Sequence, residues 1–171
     1  MNKEQALDLS KLGYNITPAT IPPIPPGPPA HVIWLSHVLE HAATYREAKE
    51  MLHACYDRLE PDGYVVIIAP DILHWKGEFW SVDWSHGFPT SLNRVEQLLH
   101  ETKFTVHKSI HHTFTQTNPI LAWGLSSLFR LLLPIYFLDF FSQKVFKRKL
   151  GQSFMGVFGL RQIFIIGRKQ H

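Results

Sequence analysis

One cysteine, Cys55, is all the thiol chemistry in 171 residues. A single thiol excludes an intramolecular disulfide framework and any cysteine-rich zinc site, which makes a reducing cytoplasm the default compartment. Charge is sparse too: 18% of residues are charged and the formal net charge is +3. That excess is small, and basic residues do not interleave repeatedly with aromatics, so no nucleic-acid partner is expected. The first ten residues, MNKEQALDLS, hold two acids and no apolar h-region, which excludes a secretory signal there. Internal repeats are lacking, and low complexity is confined to residues 21–29, IPPIPPGPP. Proline lacks an N–H and fixes φ, so that run forbids helix and central strand and reads as an ordered loop or a linker.

With 45% hydrophobic residues, the chain can bury one core. Residues 2–12 read as a short helix. Residues 31–36 (HVIWLS) are nearly all apolar and β-favouring, the pattern of a strand buried on both faces. Residues 43–59 space Tyr45, Ala48, Leu52, Cys55 and Leu59 along one helical face, with charged residues left for the other. Cys55 on that inner face is expected to be inert. Pro61, Asp62 and Gly63 predict a turn, and residues 64–69 (YVVIIA) a second buried strand. Strand, helix and strand with short connections make a right-handed βαβ unit. An irregular stretch over 70–90 leads to a helix capped by Ser91, with Leu92, Val95, Leu98 and Leu99 inward. A strand at about 104–111 follows, and residues 160–167 (LRQIFIIG) read as an edge or hairpin strand.

Three segments in order carry a resemblance: VIWLSHVLEH (32–41), YDRLEPDGYVVIIAPD (56–71) and DWSHGFPTSLNRVEQLLHETKFTV (83–106). Together they resemble the class I S-adenosylmethionine-dependent methyltransferases, in particular the small-molecule and lipid methyltransferases with a His-x-Leu-Glu-His box. The resemblance implies an α/β fold, a Rossmann-like methyltransferase sheet truncated at its N-terminus, with a helical insertion before the last strand. Residues 1–171 would form a partial domain, with its recognisable core at 31–111, the apolar insertion at 118–150 and the last strand at 159–168. The family's first strand, its glycine-rich loop and the following acid-tipped strand have no counterpart in residues 1–31. Thr20 and Ile21 stand where relatives often carry an adenine-binding Asp, and His31 replaces a common Asp.

In an open α/β sheet, ligands bind beyond the carboxyl ends of the strands. The resemblance therefore implies S-adenosylmethionine as cofactor, with Leu35, Ser36 and His37 lining its side. Asp71 and Trp80 are expected on the substrate side. Methyl transfer from a sulfonium needs alignment and sometimes proton removal. Of the D-x-x-H loop, His86 is the better base and Asp83 its expected orienter. Glu40 and His41 are read as capping and packing residues. His37 and His41, at helical spacing, give two metal ligands where zinc takes four, or three plus water, so no metal is assigned. His107, His111 and His112 are read as surface residues.

Residues 120–138 (ILAWGLSSLFRLLLPIYFL) approach the length of a bilayer span, yet Arg130 at the centre costs about 2.5–3.5 kcal/mol on insertion scales and Pro134 follows. The segment reads either as a cover over the sheet or as a hairpin in the membrane interface. Lys144, Lys147, Arg148 and Lys149 favour peripheral contact of residues 120–149 with an anionic surface. Two functional readings follow. One is methyl transfer to a small-molecule or lipid-like acceptor, weakened here by the missing cofactor motif. The other is a non-catalytic or membrane-associated accessory module that keeps the fold.

Overall fold

The computed structural model describes residues 3–18, 23–112 and 161–170. Helix α1 (Lys3–Lys11) precedes the proline run. Residues 23–29 of that run behave as an ordered loop rather than a linker. Ile24 packs against the core, and the Arg58 guanidinium donates to the Gly27 carbonyl.

Strand β1 (Ala30–Ser36), helix α2 (Tyr45–Arg58) and strand β2 (Leu59–Pro70) form the expected parallel βαβ unit. Thr44 starts α2: its hydroxyl accepts from the Glu47 N–H, while the Glu47 carboxylate accepts from the Ala43 N–H, so two end-of-helix donors are satisfied. Ala48, Met51, Leu52 and Cys55 are buried, whereas Tyr45 lies at the exposed margin. The predicted turn at Pro61, Asp62 and Gly63 is a bulge within β2. Leu59 pairs with Ala30 and Tyr64 with Val32, and Asp62 takes a left-handed φ of 64°.

After two short helical turns, α3 (Ile72–Trp75) and α4 (Glu78–Ser81), helix α5 (Leu92–Glu101) begins at Ser91, whose hydroxyl accepts from the Arg94 N–H. Val95, Leu98 and Leu99 are buried, and each contributes about 1.5–3 kcal/mol of transfer free energy. Strands β3 (Phe104–His112) and β4 (Gln162–Lys169) complete a four-stranded sheet of order β1-β2-β4-β3. Of the two readings of the last strand, edge or hairpin, the first is corrected: in the described sheet β4 is internal, and it pairs antiparallel with β2 and, as a hairpin partner would, with the preceding strand β3. Its apolar run fits the central position, with Ile163 and Ile165 in the core.

The edges of the described sheet are β1 and β3. This corrects the reading of β1 as buried on both faces. Leu35 faces the core, while Val32 and Trp34, on the opposite face, are 51% and 50% exposed. β2 keeps the two-sided burial expected of it, with Val65, Val66, Ile67 and Ala69 all buried. The residues assigned to an apolar insertion (118–150), including the membrane-contact segment 120–149, lie outside the described residues, as do Thr20 and Ile21. Among the described residues no helix is long and apolar enough to cross a membrane.

Candidate functional site

The carboxyl ends of β1, β2 and β3 and the start of β4 meet on one rim of the sheet, because β4 alone runs the other way. Chemistry-bearing side chains collect there in two groups.

The first group starts where β1 ends. The His37 N–H donates to the Ile68 carbonyl at 2.8 Å and continues the parallel ladder, and a left-handed φ of 53° then turns the chain away. A 3-10 turn, Leu39–His41, follows, with Leu39 and Glu40 buried and His41 exposed. The 83–88 loop docks on this turn: the Gly87 and Phe88 N–H groups donate to the Glu40 carbonyl at 3.0 and 3.1 Å. Glycine at 87 permits that approach, since a Cβ there would stand 2.7 Å from the Ala42 carbonyl oxygen.

Hydrogen-bond chemistry fixes the proton on three imidazoles. His86, 8% exposed, sets Nδ1 2.5 Å from the Phe79 carbonyl oxygen. A carbonyl only accepts, so Nδ1 carries a proton, and in the neutral ring Nε2 keeps its lone pair. The Ser85 hydroxyl donates to Asp83 Oδ1 at 2.6 Å and in turn accepts from His41 Nδ1 at 2.8 Å, which leaves His41 Nε2 with its lone pair too. His37 Nε2 faces the Gln162 amide nitrogen at 3.1 Å, a donor, so His37 Nδ1 donates to Glu40 Oε1 at 3.0 Å. The second Glu40 oxygen, Oε2, is buried with no hydrogen-bond partner. The rings of His41 and His86 lie 4.9 Å apart, centroid to centroid.

Asp83 therefore does not orient His86 as the sequence suggested. Its Oδ1 accepts from both the hydroxyl and the N–H of Ser85, and these bonds, the hydroxyl's first, hold its carboxyl below the usual aspartate range. The group that Asp83 steadies through Ser85 is His41, whereas His86 is held by the Phe79 backbone. The other expected positions divide. Leu35 is wholly in the core, so of the predicted cofactor-lining residues only Ser36 and His37 reach the rim. Trp80, expected on the substrate side, is exposed, as is Trp84, while the neighbouring Phe79 and Phe88 are buried.

The second group surrounds Asp71, which is fully buried rather than open to a substrate. It caps α3 by accepting from the Leu73 N–H, and its Oδ2 lies 3.0 Å from His74 Nδ1 and 2.7 Å from His111 Nε2. His111, read from sequence as a surface residue, thus ties β3 to the loop after β2. Cys55 is buried, and desolvation pushes its thiol up to about 12, consistent with an inert role. Sequence reasoning passed over Ser85, Gln162 and the part of Glu40 that faces the loop. Asp83-Trp84-Ser85 did carry a readable sign, since aspartate bonding the backbone two residues on is a standard turn device.

No family model matches the chain, and no curated protein matches it in sequence. Its structure is similar to solved methyltransferases. The complex between the Haloferax volcanii Trm112 methyltransferase activator and a methyltransferase aligns at TM-score 0.53 and 11% identity, over 84% of this chain and 55% of that one. The chain has a methyltransferase fold. Other similar structures include an S-adenosylmethionine-dependent methyltransferase from Archaeoglobus fulgidus (TM-score 0.49, 17% identity, 82% of this chain and 60% of that). The N-methyltransferase NodS of Bradyrhizobium japonicum, solved with S-adenosylhomocysteine, aligns at TM-score 0.47 and 10% identity, over 86% of this chain and 50% of that. This chain thus spans about half to three-fifths of the length of each of these three neighbours.

Proposed function

We propose that the chain carries the acceptor-side part of an S-adenosylmethionine-dependent methyltransferase whose acceptor is a small or lipid-like molecule. The observation that carries the reading is the rim itself: on a methyltransferase fold, two imidazoles with free Nε2 lone pairs stand beside the carboxyl end of β1, where open α/β sheets bind their ligands. A neutral imidazole held by its Nδ1–H can take a proton from an acceptor hydroxyl or amine, the role assigned to His86. Asp83 supports His41 through Ser85, and exposed Trp80 offers an apolar surface beside the loop.

The cofactor fits the described residues only in part. β1 is the edge of the described sheet, so Ser36 and His37 form one wall of a nucleotide crevice, and no described glycine-rich turn offers backbone N–H groups to close it. S-adenosylhomocysteine should accordingly bind the 171-residue chain weakly, in the millimolar range, and perturb the amides of Ser36, His37 and Leu39 in a nuclear magnetic resonance titration. His86→Ala should leave those perturbations in place. Shifts confined to other parts of the sheet, or none at saturating ligand, would refute the placement.

A further inference from the structure

Glu40, His41 and His86 each offer one ligand atom, and these atoms lie within 4.8 Å of one another. We infer that this trio is a binding site for a divalent transition-metal ion. The inference does not depend on methyl transfer, and it is an alternative use of the same lone pair. An ion held by His86 Nε2 and proton removal by His86 exclude each other, so with the ion bound it is the ion that eases the loss of an acceptor proton.

Three observations converge. First, Glu40 is completely buried, and its Oε2 has no partner although Oε1 accepts from His37. A buried carboxylate oxygen left without a donor is costly, and a cation supplies what a donor would. Second, both imidazoles are prepared as ligands. Their Nδ1–H groups are engaged by the Phe79 carbonyl and by Ser85, itself bonded to Asp83, so each Nε2 lone pair is available. Metal-ligating histidines are held in this way, the distal N–H fixed by a carbonyl or by a carboxylate system. Third, the site is buried on one side and open on the other: Glu40 and His86 are enclosed, while His41 is exposed and gives an entry path.

The donor set selects the ion. Two imidazoles and one carboxylate suit zinc, iron or cobalt better than magnesium, which prefers oxygen alone and keeps its water. Metal–ligand distances near 2.0–2.2 Å require the trio to close by about 1 Å, which the exposed His41 side chain can accommodate. Three protein ligands leave a coordination position open to water or to an acceptor hydroxyl, whose proton the ion would make easier to remove. The His37 and His41 spacing that drew attention in the sequence is not the ligand pair. His37 serves instead as the donor that orients Glu40, and the third ligand comes from the 83–88 loop.

The neighbouring Asp71, His74 and His111 group is the internal control. Its three residues also bring ligand atoms within 4.8 Å of one another, but both imidazoles point a ring nitrogen at the Asp71 Oδ2, so those nitrogens and that oxygen are bound to one another.

The test is titration of the metal-free full chain with zinc chloride by calorimetry, with cobalt(II) absorption to report the coordination geometry. One equivalent should bind, and His41→Gln, His86→Gln and Glu40→Gln should each weaken binding at least tenfold. Ser85→Ala, which removes only the anchor of His41, should weaken it by about tenfold. His111→Gln in the control cluster should leave it unchanged. Circular dichroism of each variant would show that the fold persists, and Ser85→Ala, at a partly exposed turn, serves if a buried substitution unfolds the chain. No binding of zinc or cobalt by the native chain, or binding equally strong in His41→Gln, His86→Gln and Ser85→Ala, would overturn the site. Because the readout needs neither cofactor nor acceptor, its failure is separate from failure of the methyltransferase reading.

Discussion

Two clusters on the same rim are built from nearly the same parts, one carboxylate and two histidines within hydrogen-bonding reach of a strand end. They differ in how the carboxylate is spent. At Asp71 the carboxylate accepts from a backbone N–H and from two imidazoles, and the group is closed. At Glu40 one oxygen accepts from His37 and the other faces no donor, while His41 and His86 turn their N–H groups outward to Ser85 and Phe79. The lesson is that residue type and proximity do not define a site. What defines it is which lone pairs remain after the protein has satisfied its own donors.

The largest effect should come from opening the closed cluster. Asp71→Ala removes the cap of α3 and leaves two half-buried imidazoles and a backbone N–H without their acceptor, a loss of about 3 kcal/mol in urea unfolding. Glu40→Gln, without metal, should change stability by less than about 1 kcal/mol, since it keeps an oxygen for His37 and removes a carboxylate oxygen that has no donor. If Glu40→Gln proved the more damaging, the distinction between open and closed clusters would collapse. A smaller effect is expected from His111→Ala. It removes one of the three donors to Asp71 and loosens β3 from the loop, and should cost about 1 kcal/mol, with amide exchange accelerated near the end of β3.

Much of this architecture was legible. Helical spacing located α2 and α5, a continuous apolar run bounded by turn residues located β2, and Thr44 and Ser91 stand where caps should. Position within the sheet was harder, because an apolar strand reads the same whether a neighbour, a helix or solvent lies beside it. β1 and β2 have similar composition, yet only β2 is flanked on both sides among the described strands. β4 could have been placed centrally, since its run IFII is continuous where β3 alternates Phe104 and Val106 with Thr105 and His107. The site was legible as a set of segments and not as a set of contacts. Asp83 and His86 share a loop, but Ser85 lies between them and captures the carboxylate. Glu40 was passed over because an acid so deeply buried is rare unless paired.

The smallest effect tests that capture. In the native chain Asp83 is held below the usual aspartate range chiefly by the Ser85 hydroxyl and then by the Ser85 N–H. Ser85→Ala removes the first of these and should move the Asp83 titration upward, part of the way to its ordinary value, as read from its side-chain carbon resonance. A carboxyl whose folded pKa is depressed contributes stability that is present above its unfolded pKa and lost as pH falls through the folded one. Native chain and variant should therefore differ most at neutral pH and converge in acid, below the usual aspartate range. The difference should be slight, because this carboxylate borders solvent. His41 should respond as well: with its hydroxyl partner gone the ring is no longer fixed at Nδ1, and its resonances should broaden while those of His86, anchored by Phe79, stay sharp. An unmoved Asp83 titration would mean that the backbone N–H alone sets it. A disturbed His86 with an undisturbed His41 would mean that Asp83 serves His86 after all.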